Sequence, residues 1–116
     1  MDYYQGWFDL KSGVKDTDFA RDLARYMSYL KERRLIEGWK LSRRKLGLGP
    51  ELFGEFHLVI ETRNLAQLDE AFGHVASRSE PVEGVHFGVN SKVENLRFGL
   101  YRDFPDAVRQ EGEEKF

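Results

Sequence analysis

The residue types able to carry chemistry cluster in three stretches of the chain. EFHLVIET (55–62) alternates so that His57, Val59 and Glu61 share one side of a strand. The same alternation in YYQGWFDL (3–10) sets Gln5, Trp7 and Asp9 together, and in NLRFGLYR (95–102) it sets Arg97 with Tyr101. A histidine moves protons near neutral pH, and an indole and a phenol form walls for a planar compound. His57 is therefore the candidate proton carrier, with Tyr101 and Asp9 as its catalytic partners. Gln5, Trp7, Val59, Glu61 and Arg97 are the candidate pocket lining. The competing role for His57, Asp9 and Tyr101 is hydrogen bonding within a subunit interface, and spacing alone leaves both roles open. His86 precedes Asn90 by one helical turn; the pair either orients a carbonyl or a water in the pocket, or is a satisfied core histidine with a neighbour.

Other chemistries are excluded or unsupported. The chain has no cysteine, so disulfides, thiolate nucleophiles, iron–sulfur clusters and cysteine zinc sites are ruled out. His57, His86 and Glu61 are metal-ligating types, but their spacing matches no compact metal motif, so neither a metal nor a cofactor is expected. Gly47-Leu48-Gly49-Pro50 lacks the Lys-Ser/Thr of a phosphate loop and reads as a turn. No nucleophile elbow is present. Arg43, Arg44 and Lys45 form the one dense basic run; such a run clamps an anion or guards a sheet edge, and the edge is the expectation.

The elements that must position these groups follow from periodicity. Residues 3–10 read as a strand. From Asp16, Phe19, Leu23, Tyr26, Met27 and Leu30 recur at helical spacing, with Asp16, Thr17 and Asp18 offering capping oxygens and Lys31, Arg33 and Arg34 closing the helix. Residues 36–46 return to alternation, a Gly/Pro-rich connection follows, and 55–62 is a third strand. Asn64 and Gln67 form a capping box ahead of a helix whose buried stripe holds Leu65, Leu68, Phe72, Val75 and Ala76, leaving His74 in solvent. Pro81 opens a further short helix, although the run of Val and Phe over 82–93 also permits a strand. Residues 95–102 form the last strand.

The order β-α-β-β-α-(α)-β is the split βαβ arrangement: an α+β, ferredoxin-like βαββαβ domain over 1–106, with a four-stranded antiparallel sheet, an extra short helix before the last strand, and a charged, loose tail at 107–116. Phe8, Leu10, Phe56, Leu58, Ile60, Leu96, Phe98 and Leu100 are expected to face the helices. The second strand presents either Trp39, Leu41 and Arg43 or Lys40, Ser42 and Arg44 to the opposite face. That face, with Tyr3, Gln5, Trp7, Asp9, His57, Val59, Glu61, Arg97, Tyr101 and Asp103, is too aromatic to be left to solvent, so something packs on it or binds it. At 41% hydrophobic and 14% aromatic residues the chain supports an ordered core. A net charge of −2 disfavours a nucleic-acid partner. The start lacks a signal-peptide pattern and no run reaches 18 apolar residues, so a soluble, cytoplasmic protein without membrane contact is expected.

The stretches WFDLK, GWKLSRRKLGLGP, GEFHLVIE and RFGLYRDFPD resemble a family of small bacterial proteins of unknown function within the dimeric α/β-barrel superfamily, over Tyr3 to Asp106. The resemblance implies a homodimer whose open sheet faces pack together, with a cavity for an unknown small molecule. Members of that superfamily include cofactor-independent monooxygenases, haem-degrading enzymes, lactone isomerases and stress-responsive proteins. It therefore implies either an enzyme of the monooxygenase or isomerase sort acting on an aromatic or polyketide-like compound, or a non-catalytic binding or stress-responsive protein. RNA-recognition motifs share the topology, but EFHLVIET lacks their Lys/Arg-Gly-Phe start.

Overall fold

A computed structural model describes residues 1–105; Asp106 and the expected tail at 107–116 lie outside the described residues. The elements run β1 (Asp2–Leu10), α1 (Asp16–Glu32), β2 (Gly38–Arg43), β3 (Phe56–Thr62), α2 (Leu65–Ala76), α3 (Val82–Asn90) and β4 (Val93–Arg102). The four strands form one antiparallel sheet in the order β2-β3-β1-β4, and the helices lie against one face of it. This is the ferredoxin-like arrangement, and residues 82–90 are helix.

The core is the apolar stripe of α1 set on the even-numbered residues of β1 and β3. Phe19, Leu23, Met27 and Leu30 are buried against Phe8 and Phe56, with Phe8 and Phe19 in edge contact and Phe8 stacked on Phe56. Each such side chain contributes about 1.5–3 kcal/mol through burial. Asp16, Thr17 and Asp18 do not cap α1 as expected: Lys15 occupies the cap without a side-chain bond, and Asp16 instead pairs with Arg43. The acidic first turn still complements the helix dipole. At α2 the capping box forms with one difference. Asn64 Oδ1 accepts from the Gln67 N–H, while Gln67 Oε1 accepts from the N–H of Arg63, one residue earlier than the usual partner. Gln67 Nε2 then donates to the Arg34 carbonyl, which ties α2 to the end of α1.

Register settles the second strand. Trp39 pairs with Ile60, Leu41 with Leu58 and Arg43 with Phe56, so these three share the helix side, and Lys40 and Ser42 lie on the other. As the sheet's edge strand, β2 carries Arg43 in ion pairs with Glu55 and Asp16. A bulge on β4 sets two residues there, Asn95 and Leu96, against Phe8 alone (Trp7 lies opposite Arg97 and Asp9 opposite Glu94), and Asn95 takes a left-handed backbone.

Further expectations are corrected. Of the α2 stripe expected to be buried, Leu68 is buried and Val75 partly so, but Leu65 and Phe72 are 46% and 48% exposed and Ala76 is exposed; Gln67 and Ala71 are buried instead. His74 is not left to solvent: it is partly buried, with Nε2 2.7 Å from the Tyr29 hydroxyl across the α1–α2 seam. Leu96, Phe98 and Leu100 do lie on the helix side, but no helix covers them. They remain 40%, 59% and 53% exposed, because the helices sit over β1 and β3 rather than over β4.

Candidate functional site

The sheet separates the groups singled out from the sequence into two places. Gln5, Trp7, Asp9, His57, Val59, Glu61, Arg97 and Tyr101 lie on the open face; His86 and Asn90 lie on the helix side, lining a cavity. They are therefore not one pocket, since alternation sends neighbouring strand residues to opposite sides and α3 packs only on one.

On the open face, pairing builds three rows across the sheet. These are Ser42–His57–Trp7–Arg97, Lys40–Val59–Gln5–Gly99 and Gly38–Glu61–Tyr3–Tyr101. His57 Nε2 is 2.7 Å from Gln5 Oε1 on the diagonal, and its ring stacks on Trp7 at 4.7 Å and 3°. Partial burial lowers the His57 pKa below its ordinary value, so the ring is neutral at pH 7 and donates to the amide. Phe53, from the β2–β3 connection, also stacks on Trp7, at 4.5 Å. That connection is held in shape by Arg44, which donates to the Pro50 and Phe53 carbonyls, and by Arg97, which donates to the Leu52 carbonyl. Gly54 passes so close to β1 that a Cβ would lie 2.4 Å from the Phe8 backbone.

The remaining open-face groups are similarly engaged. Asp9 accepts from the Glu55 N–H and from the Asn95 amide, so it joins the start of β3 to the bulge. Tyr3 donates to Asp103 at 2.6 Å, which raises the Tyr3 pKa and lowers that of Asp103. Tyr101 and Trp7 lie over Gly99, where a Cβ would come within 3.2 and 3.3 Å of their rings. The arrangement is a layer of aromatic side chains braced by hydrogen bonds.

The helix side is different. Gly6, in the middle of β1, has no side chain, and this leaves a hollow beneath α1, α2 and α3. The cavity measures ≈ 240 Å³ and is walled largely by apolar side chains, among them Leu30, Leu58, Ile60, Ala71 and Val89. Tyr4 stacks on Phe98 at 5.5 Å and meets Phe72 edge-on at 5.1 Å, forming one aromatic wall. Tyr26 and His86 meet edge-on at 5.6 Å on the helix side. Burial, helped by the nearby Tyr4, pushes the Tyr26 pKa up to about 12; burial raises Tyr4 as well. Both phenols are thus protonated donors at neutral pH. Neither hydroxyl, nor the His86 ring, nor the Asn90 amide makes a hydrogen bond to any described residue. Three half-buried, unpaired polar groups, Tyr4, Tyr26 and His86, lining an apolar hollow, with the exposed Asn90 at its edge, fit the usual make-up of a small-molecule site.

Tyr4 and Tyr26 were not legible as site residues. Tyr26 reads as core because it falls on the α1 stripe; the one available signal is that a hydroxyl on such a stripe needs a partner. Among the described residues no three His, Asp or Glu side chains gather as a metal site, and no helix is long and apolar enough to cross a membrane.

Fold and cavity together define a ferredoxin-like α+β protein with a helix–sheet pocket. Within that class the chain belongs to a family of unknown function, DUF6614, whose model matches residues 1–116. No curated protein matches it. Among solved structures it is similar to SnoaB, a cofactor-independent oxygenase from Streptomyces nogalater, with TM-score 0.68 and 8% identity over 93% of this chain and 97% of that one. It is also similar to At3g17210 from Arabidopsis thaliana, with TM-score 0.70 and 9% identity over 95% and 100% of the chains. A third is a dimeric protein of unknown function and ferredoxin-like fold from Bacteroides fragilis, with TM-score 0.53 and 11% identity over 88% and 95%. At these identities the likeness is one of fold.

Proposed function

We propose that the chain is a homodimer joined through its open sheet faces, and that each protomer takes a small aromatic or polyketide-like molecule into the helix–sheet cavity. There it acts as a cofactor-independent enzyme of the monooxygenase or isomerase sort. The observation that carries this reading is the set of three half-buried polar groups, Tyr4, Tyr26 and His86, that line an apolar cavity without hydrogen bonds to any described residue. A cavity of ≈ 240 Å³ exceeds the roughly 150 Å³ hollow that accepts benzene, so a fused bicyclic body is a reasonable guest.

In this reading the proton carrier is His86 rather than His57. His86 reaches the cavity and Tyr26 stands beside it as a donor for a developing oxyanion, whereas His57 is already bonded to Gln5 and stacked on Trp7. His57, Trp7 and Tyr101 then belong to the subunit interface, and the likeness to a dimeric protein from Bacteroides fragilis supports pairing as such. A non-catalytic binder would use the same cavity and release its ligand unchanged.

The test is to fill the hollow. At Gly6 a Cβ meets Phe98 at an ordinary 3.6 Å, so Gly6→Val is accommodated and its methyls enter the cavity. Valine also favours a strand by up to about 1 kcal/mol. Titration of 2-naphthol should show binding to the wild type and none to a folded Gly6→Val variant. Undiminished binding to that variant rules the cavity out.

A further inference from the structure

A second recess, ≈ 460 Å³, opens between α2 and α3 and adjoins the cavity along Phe72, Val75, His86 and Asn90, which line both. Its outer wall carries two charges, Arg78 just beyond α2 and Glu83 in the first turn of α3. Although they share one recess, they form no ion pair with each other or with any other described residue. Elsewhere Arg43, Arg63 and Arg102 reach carboxylates, and Arg44 and Arg97 bond carbonyls, so most of those side chains are already engaged whereas Arg78 is available to a ligand. Arg78 is also held at φ 52°, a backbone state disfavoured for a residue with a Cβ, and its N–H bonds to the Val75 carbonyl. The backbone bond fixes where the side chain leaves the chain.

Resting on the cavity reading above, we infer that the ligand is an aromatic monocarboxylic acid whose ring enters the helix–sheet cavity and whose carboxylate is bound by Arg78 in the α2–α3 recess. A guanidinium suits a planar carboxylate and holds it through paired N–H donors. His86 and Asn90, at the junction of the two spaces, flank the link between ring and acid. Glu83 on the same recess repels a second negative charge, so a carboxylate is accepted and a phosphate monoester is disfavoured.

The experiment compares three probes sharing one ring system: 2-naphthoate, 2-naphthol and 2-naphthyl phosphate, each titrated into the full chain. The wild type should bind 2-naphthoate most tightly. Arg78→Gln, which leaves a non-glycine residue at φ 52°, should weaken 2-naphthoate by about tenfold and 2-naphthol by less than about twofold. Glu83→Gln should strengthen 2-naphthyl phosphate several-fold while leaving 2-naphthol unchanged. Equal losses for naphthoate and naphthol in Arg78→Gln, or a wild-type preference for the alcohol or the phosphate, overturn the carboxylate assignment and leave the cavity reading standing. If the wild type binds none of the probes, or Gly6→Val binds all of them as well as the wild type does, the cavity reading falls and this inference with it.

Discussion

Replacing Tyr26 by Phe separates stability from binding in a way that only an unfilled polar site predicts. Tyr26 lines the cavity, burial pushes its pKa up to about 12, and its hydroxyl has no hydrogen-bond partner among the described residues. A buried, unpaired hydroxyl costs roughly 1–3 kcal/mol. Because Tyr26 is only half-buried, water can reach it, so the low end, about 1 kcal/mol, applies. Removing the hydroxyl should therefore raise the stability of the ligand-free protein by about 1 kcal/mol, or about 4 °C in Tm for a chain of this size. The same change should weaken 2-naphthol binding by about three- to tenfold, the worth of one hydrogen bond. The assays are thermal melts at fixed protomer concentration, since a dimer's Tm depends on it, followed by calorimetric titration. A Tm that falls by 2 °C or more would mean that the hydroxyl supports the fold, and the reasoning would be refuted whatever happens to binding.

Three further outcomes are expected. Trp7→Ala removes the ring on which Phe53 and His57 stack, and under the proposed open-face pairing should weaken self-association by about 2 kcal/mol, some thirtyfold in dissociation constant, read by sedimentation equilibrium. Because the folded His57 pKa lies below its ordinary value of 6.5, the unfolded chain takes up this proton first as pH falls. The His57 contribution to stability is thus intact above about pH 6.5 and declines below it, and His57→Gln should flatten that part of the stability–pH curve measured by urea unfolding. Gln67→Ala leaves the Arg63 N–H and the Arg34 carbonyl without their buried partner and should cost about 2–3 kcal/mol in the same assay.

Strong local patterns were readable from sequence, and contacts made by distant segments were not. Alternation assigns the faces of β1 and β3, and the α1 stripe assigns the core, because each is a property of one segment. The register of β2 was ambiguous since GWKLSR mixes apolar and polar residues on both parities, and pairing with β3 decides it. The contact of His74 with Tyr29 depends on how α1 and α2 pack, which no periodicity encodes. Phe53 reaches Trp7 only because Arg44 folds the connection by binding its carbonyls. The grouping of His86 with His57 failed for a plainer reason: residue types that suit one reaction were placed together, and the sheet stands between them.

That sheet also governs how the sequence is free to drift. Point substitutions on β1 and β3 alter the helix side or the open side separately, since odd and even positions never share a face. A single-residue insertion or deletion inside either strand would turn both faces over at once, sending Phe8 outward and Trp7 into the core. Length variation among related chains should therefore collect in the β2–β3 connection and at the β4 bulge, where one extra residue is already absorbed. Grafting β1 onto a relative, in turn, would carry the lining of the helix-side cavity and the open-face aromatic layer together.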